Sequence, residues 1–260
     1  MKKLIFILSV FFMFSCSKTE DSQPVNSNVK LLKSVTEVGG AFSQFCSFYY
    51  ENSLLLKYNE GEKDFFIERN QVVYENNKIK KIALGGTQHE PTNAEDFTYN
   101  YSFINNLDLE TISYTNNSIF YQASPRDYTY NLNNQNQVIS ILENNSLAEE
   151  FIYSGNQIIK QKTQQGYYQA DYTFTVDDKI NPFNVLYTKF GLLDAYMCPL
   201  IGHAQLYYLL FPNNVTKVYK DGVLLYNFIY QYNNDNYPVS VVAYDYSRNE
   251  TSQYTFLYTN

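Results

Sequence analysis

The sequence predicts an all-β fold: an antiparallel meander of repeated hairpins forming one large twisted and curved sheet, with a short helical or irregular excursion near residues 184–212. Three observations predict it. The chain holds 27 tyrosines and 19 phenylalanines but no tryptophan, and aromatic side chains favour the pleated, half-buried surface of a strand. Many of these aromatics fall at period two, which places them on one face. Asn-rich segments separate them, and Asn tolerates the left-handed conformations that tight reversals need.

At the start of the chain, Lys2 and Lys3 form a positive head, and Leu4 to Phe14 is apolar except for Ser9. A spanning helix needs about 20 apolar residues, so this shorter run has the size of a signal-peptide core. It ends in Met13-Phe14-Ser15-Cys16. A small residue directly before cysteine resembles the lipobox of bacterial lipoproteins, although Met13 and Phe14 make the match looser than the strictest form. The resemblance implies removal of residues 1–15, lipidation of Cys16 and attachment to a membrane without a transmembrane helix. Buried acyl methylenes contribute about 0.8 kcal/mol each, and more than one chain gives lasting attachment. An ordinary signal peptide with an incidental cysteine is the alternative, but no A-x-A-like site lies nearby.

Residues 16–32 carry the lipidation site and a polar stretch that cannot bury enough apolar surface to offset its ordering entropy, and they read as a flexible tether. Ser17-Lys18-Thr19-Glu20-Asp21 resembles the short acidic segments of surface-exposed lipoproteins of Bacteroidota, with Lys18 as an interruption. That resemblance implies the outer membrane, lipid-anchored, and extends to the cell surface.

Residues 33–260 are long enough for one sizeable core and read as a single repeat-built β domain. Its theme is aromatic-x-aromatic, an Asn-rich turn, then a returning Ile/Val strand. Copies begin at Tyr74, Tyr128, Phe151 and Tyr230, and Tyr254-Thr255-Phe256 opens a last one. Anchor aromatics at Tyr130, Tyr153 and Phe174, and again at Tyr232 and Phe256, recur every 21–24 residues or so, a period typical of small repeat units. Each hairpin leaves one face uncovered, and its neighbours complete the sheet. The theme breaks after Asp177-Asp178-Lys179-Ile180-Asn181-Pro182-Phe183, which reads as a strand end. Within the excursion, His203 to Leu210 reads as a short helix, and Phe211 onwards returns to strand.

The string Tyr230-Gln231-Tyr232-Asn233-Asn234-Asp235-Asn236-Tyr237-Pro238-Val239-Ser240-Val241 is similar to the YD-type repeats of Bacteroidota outer-membrane lipoproteins of unknown function. Asp178 to Phe183 and Asn213 to Lys217 look like the centre of those proteins. The resemblance covers roughly residues 40–260 and implies a meandering antiparallel sheet. It implies no reaction.

The formal charge is −7 and grows more negative once Lys2 and Lys3 leave with the leader. An acidic chain repels phosphate backbones, so nucleic acid is excluded as a partner class. Cys46 and Cys198 remain for a disulfide in an oxidising compartment, or stay as separate buried thiols, the favoured reading. His89 and His203 fit no zinc-protease spacing, and neither a phosphate-binding loop nor a serine-nucleophile elbow is present. His89-Glu90 with Glu95-Asp96 reads as a solvated acidic loop rather than a metal site, and Asp177-Asp178 as a strand-end turn rather than a calcium site.

No catalytic residue, metal or cofactor is therefore assigned. The expectation is a non-enzymatic binding or scaffold protein at the cell envelope. It would be held to a membrane by its lipid and would take a glycan or an envelope protein. Exposed tyrosines suit either ligand, and Tyr167, Tyr168, Tyr172, Tyr244 and Tyr246 are the candidate ligand-binding residues. Most tyrosines are expected to be structural. The alternatives are a polysaccharide or peptidoglycan hydrolase with a facing carboxylate pair, and a lipid or lipoprotein carrier with an apolar cavity.

Overall fold

The computed structural model describes residues 29–38, 43–62, 66–88, 109–115, 117–123, 126–164, 169–193, 200 and 207–259. The expected leader, Cys16 and most of the expected tether lie outside the described residues. So do Cys198, both histidines and the acidic loop near His89.

Sixteen strands run among the described residues. The first eight are β1 (Leu32–Glu37), β2 (Gln44–Glu51), β3 (Leu54–Glu62), β4 (Phe66–Glu75), β5 (Lys78–Gln88), β6 (Leu109–Tyr114), β7 (Ser118–Ala123) and β8 (Arg126–Leu132). The second eight are β9 (Val138–Glu143), β10 (Ser146–Ser154), β11 (Gln157–Thr163), β12 (Ala170–Ile180), β13 (Asn213–Lys220), β14 (Val223–Tyr232), β15 (Pro238–Asp245) and β16 (Glu250–Tyr258). Every strand pairs antiparallel with the next, and β1 pairs with β16. The sheet is thus more than curved: it closes into a barrel, which removes both open edges.

The Asn-rich turns do what the sequence asks of them. Asn52-Ser53, Asn76-Asn77, Asn144-Asn145 and Asp221-Gly222 all have positive φ, the two-residue geometry that matches strand twist. The loops after β8 and β14 are copies of one another. Asn133 Oδ1 accepts from the Gln135 and Gln137 amides, and Asn233 Oδ1 accepts from the Asp235 and Tyr237 amides.

Inward positions are set by the pairing. Val35, Cys46, Phe48, Tyr58, Ile82, Ile141, Phe151, Val218 and Phe228 belong to one buried cluster. Tyr226, Phe228, Tyr230 and Tyr232 follow one another along the inner face of β14, with ring centroids about 6 Å apart in succession (5.9, 6.4 and 5.9 Å). The adjacent apolar pairs Val138-Ile139, Ile158-Ile159 and Pro238-Val239 break strict alternation because a β-bulge falls at each. The first residue of each pair is buried and the second is exposed.

The tyrosines closing these hairpins have a recurring task. Tyr50 donates its hydroxyl to the Leu32 carbonyl at 2.8 Å, Tyr114 to Ile79 at 3.0 Å, Tyr153 to Val138 at 2.8 Å and Tyr258 to Pro238 at 2.7 Å. In each case the last inward tyrosine of an even-numbered strand latches the first inward residue of the preceding one. Phenylalanine cannot do this.

The helix stands earlier than the sequence reading put it. It is α1 (Pro182–Phe190), and Tyr208–Leu210 forms only a 3-10 turn. The signals were local: Asn181 caps by accepting from the Phe183 amide, Pro182 opens the first turn, and Gly191 at φ 77° ends it. A strand ending at Ile180 and a helix beginning two residues later share one sequence stretch, which reads as a strand end alone.

Candidate functional site

In a meander, alternate turns lie at the same end of the barrel. The turns after β2, β4, β6, β8, β10 and β14 share one end with the α1 segment, the entry to β1 and the exit from β16. Thr259 N–H donates to the Leu31 carbonyl there, and Lys30 pairs with Asp235 at 2.6 Å. The chain preceding the domain therefore arrives at the end that carries the helix.

That helix is a plug. Phe183, Leu186, Phe190, Leu209 and Phe211 are buried in the same cluster as the inward strand residues. The plug meets walls all round the lumen: Phe190 lies against Tyr50 of β2 at 5.7 Å, Tyr207 against Phe151 of β10 at 5.6 Å and Phe211 against Phe174 of β12 at 4.7 Å. The Tyr208 and Tyr230 hydroxyls are 2.7 Å apart, and Tyr130 of β8 donates to the Leu193 carbonyl at 3.4 Å. Fully buried Asn181 ties the two ends of the segment together. Its Nδ2 donates to the Tyr208 and Phe211 carbonyls at 2.9 and 2.8 Å.

Asp177 is committed at the same junction. It accepts from the Lys179 and Asn214 amides and from the Tyr232 hydroxyl, and so holds the irregular end of β12. Burial together with this carboxylate drives the Tyr232 phenol upward.

Toward the opposite end the inner wall turns polar. Glu149 faces inward from β10 and is 2% exposed. Gln161 Nε2 and Thr163 Oγ1 of β11 both donate to its Oε2 at 2.9 Å. Burial pushes the Glu149 carboxyl up to about 7, against the opposing pull of these two hydrogen bonds. The sequence reading missed Glu149, although it shares parity with Phe151 and Tyr153. Gln161 was less legible, since the bulge at Ile159 shifts the inward parity of β11.

The outer face is built differently. Lys160 pairs with Asp171 at 2.5 Å and Lys162 with Glu150 at 2.9 Å. Asn131 donates to Ser140, Ser240 to Gln231, and the Thr175 and Thr216 hydroxyls are 2.9 Å apart. Cross-strand polar pairs of this kind suit a sheet face in water.

The candidate ligand residues are scattered. Tyr172 is turned into the core at 2% exposure. Tyr244 lies half-buried on β15, between Asp245 and buried Ala243, and Tyr246 is 55% exposed in the turn after it. Tyr167 and Tyr168 lie outside the described residues. Cys46 is buried on β2. No group of three or more His, Cys, Asp or Glu side chains placed to hold a metal occurs among the described residues.

Two solved structures are similar to this chain. A porin-like protein from Bacteroides uniformis superposes with a TM-score of 0.52 at 12% identity, over 88% of this chain and 96% of that one. A porin-like protein from Bacteroides vulgatus gives a TM-score of 0.42 at 9% identity, over 89% of this chain and 99% of that one. The first shows a common fold. No family model matches the sequence, and no curated protein does.

Proposed function

We propose that this protein is a lipid-anchored β-barrel of the outer membrane that stands in water beside the bilayer, neither conducting solutes nor catalysing a reaction. It presents a rigid scaffold to a glycan or an envelope protein. The observation that carries this reading is the polarity of the two faces. A spanning barrel turns an apolar band about 25 Å tall outward and keeps its lumen polar. Here aromatic and aliphatic side chains pack with α1 across the plugged half of the lumen, while ion pairs and cross-strand hydroxyl contacts lie outside. The run ending at Ser15-Cys16 supports the anchor, and the porin-like Bacteroides uniformis structure of the same fold supports an envelope address.

One preparation tests the reading. The full chain is expressed in a Gram-negative host and reconstituted into liposomes. Mass spectrometry of its first peptide should show acylated Cys16, lost in Cys16→Ser. Liposome swelling in small sugars should match protein-free vesicles. Flux of sugar through the reconstituted protein, or an unmodified Cys16, would overturn it.

A further inference from the structure

The exposed apolar side chains of the barrel are unevenly placed. Tyr49, Val73, Ile139, Ile159, Ile229 and Leu257 all point outward from six different strands, each 37–53% exposed. All lie in the half of their strand nearest the plugged end. Ile139 and Ile159 sit at bulges, which turn outward a side chain that strict alternation would have buried. Among the described residues, the exposed large apolar groups at the opposite end are Val38, Leu147, Val223 and Tyr246, in or next to turns. Single exposed apolar residues need no explanation. A girdle confined to one end of a barrel does.

Two further observations say what covers it. The chain before Val29 enters at that same end. If Cys16 carries lipid, about 14 residues separate it from Lys30, and a flexible coil of that length spans roughly 20 Å. The plugged end is then the end held nearer the bilayer on average. Charge is also polarised. Among the described residues, Lys30, Lys33, Lys78, Lys80, Lys81, Lys179 and Lys189 outnumber Glu51, Glu75, Asp177, Asp178 and Asp235 at the plugged end, whereas Glu37, Glu62, Asp127, Glu143, Asp221 and Glu250 outnumber Lys162, Lys220 and Arg248 at the other. Cationic side chains beside an anionic lipid surface add about 1 kcal/mol each, and acids are repelled.

We propose that the plugged end is a membrane-docking surface: the girdle rests in the interfacial layer of an anionic phospholipid bilayer, with the acidic end directed away. This rests on the lipid-anchor reading for its geometry, but it is a separate claim about orientation.

The chain has no tryptophan, so one introduced residue reports alone. Ile159→Trp and Leu257→Trp place it in the girdle, and Val223→Trp at the far end. Each full-length variant is reconstituted into phosphatidylethanolamine–phosphatidylglycerol vesicles, with and without brominated acyl chains, after its melting curve has been matched to the parent. Interfacial burial of 5–10 Å should cost the two girdle variants about half their emission and leave Val223→Trp unchanged. If the chain is acylated and floats with vesicles while its girdle tryptophans stay unquenched, docking fails and the anchor stands. If Cys16 is unmodified and the girdle is still quenched, the anchor reading fails and docking stands. Quenching of Val223→Trp alone overturns the orientation. A blue shift that needs no brominated lipid and accompanies dimer formation in sedimentation assigns the girdle to a second copy and overturns the proposal.

Discussion

Glu149 is a carboxylate held where its charged form is disfavoured, and this makes its energetic role dependent on pH. In the unfolded chain it ionises near the ordinary value of 4.5, whereas in the barrel it keeps its proton to about 7. Below pH 4.5 both states are protonated and no penalty exists. Between 4.5 and 7 the unfolded state releases its proton first, so stability falls as pH rises. Above 7 the loss is complete, at about 3 kcal/mol for a shift of this size. Glu149→Gln keeps an acceptor for Gln161 and Thr163 but cannot ionise. Its urea midpoint should exceed the parent's at pH 8, with the gap closing by pH 4.5. A gap that does not change with pH would mean Glu149 is not the buried acid described here. The tyrosine latches show the same dependence on one atom. The high tyrosine count was legible as β structure, but the hydroxyl's task was not, because the carbonyl it meets lies 15 to 35 residues away.

Among the elements, the strands were more legible than the plug. Asn-Asn, Asn-Ser and Ser-Gly-Asn turns fix where reversals occur, and the anchor aromatics Tyr130, Tyr153, Phe174, Tyr232 and Phe256 lie on alternate strands as their spacing suggests. The bulges were hidden: two adjacent apolar residues look the same whether both are buried or one is turned out. The plug resisted for another reason. Its stability is tertiary, since α1 is only nine residues long, below the length at which an isolated helix persists. Asn181 is the point at which this dependence can be tested. Asn181→Ala removes the helix cap, takes the Asn181 donor from the buried Phe211 carbonyl and leaves the Tyr208 carbonyl with the Phe211 amide alone. A lost cap costs about 1 kcal/mol, and each orphaned buried acceptor about 1–3 kcal/mol. A loss of roughly 2–4 kcal/mol by urea denaturation is expected, with amide exchange accelerated first in 182–190. A change below 1 kcal/mol would mean that packing alone holds the plug.

At the scale of the whole molecule, closure is what repetition along the chain cannot reveal. Hairpins stacked in order make a meander, and whether its ends meet depends on accumulated twist and on the contents of the lumen. Here Val35 sits opposite Phe256 and Thr36 opposite Thr255, residues separated by most of the chain. Such long-range pairing forms after the local hairpins, because the entropy of closing so large a loop must be met before the contacts reward it. Closure also protects the molecule. Without β1, both β2 and β16 would present unpaired backbone along whole strands, which is a template for intermolecular pairing. Removing residues 29–37 from the otherwise complete chain is therefore expected to leave most of the β signal in circular dichroism while converting a monomer into concentration-dependent oligomers in sedimentation velocity. Adding proline at Thr255, on the newly exposed β16 edge, should weaken the association, because proline cannot donate to a new ladder and only the β2 edge stays open. A shortened chain that remains monomeric at all concentrations would show that the plug, rather than the closing pair, holds the barrel shut.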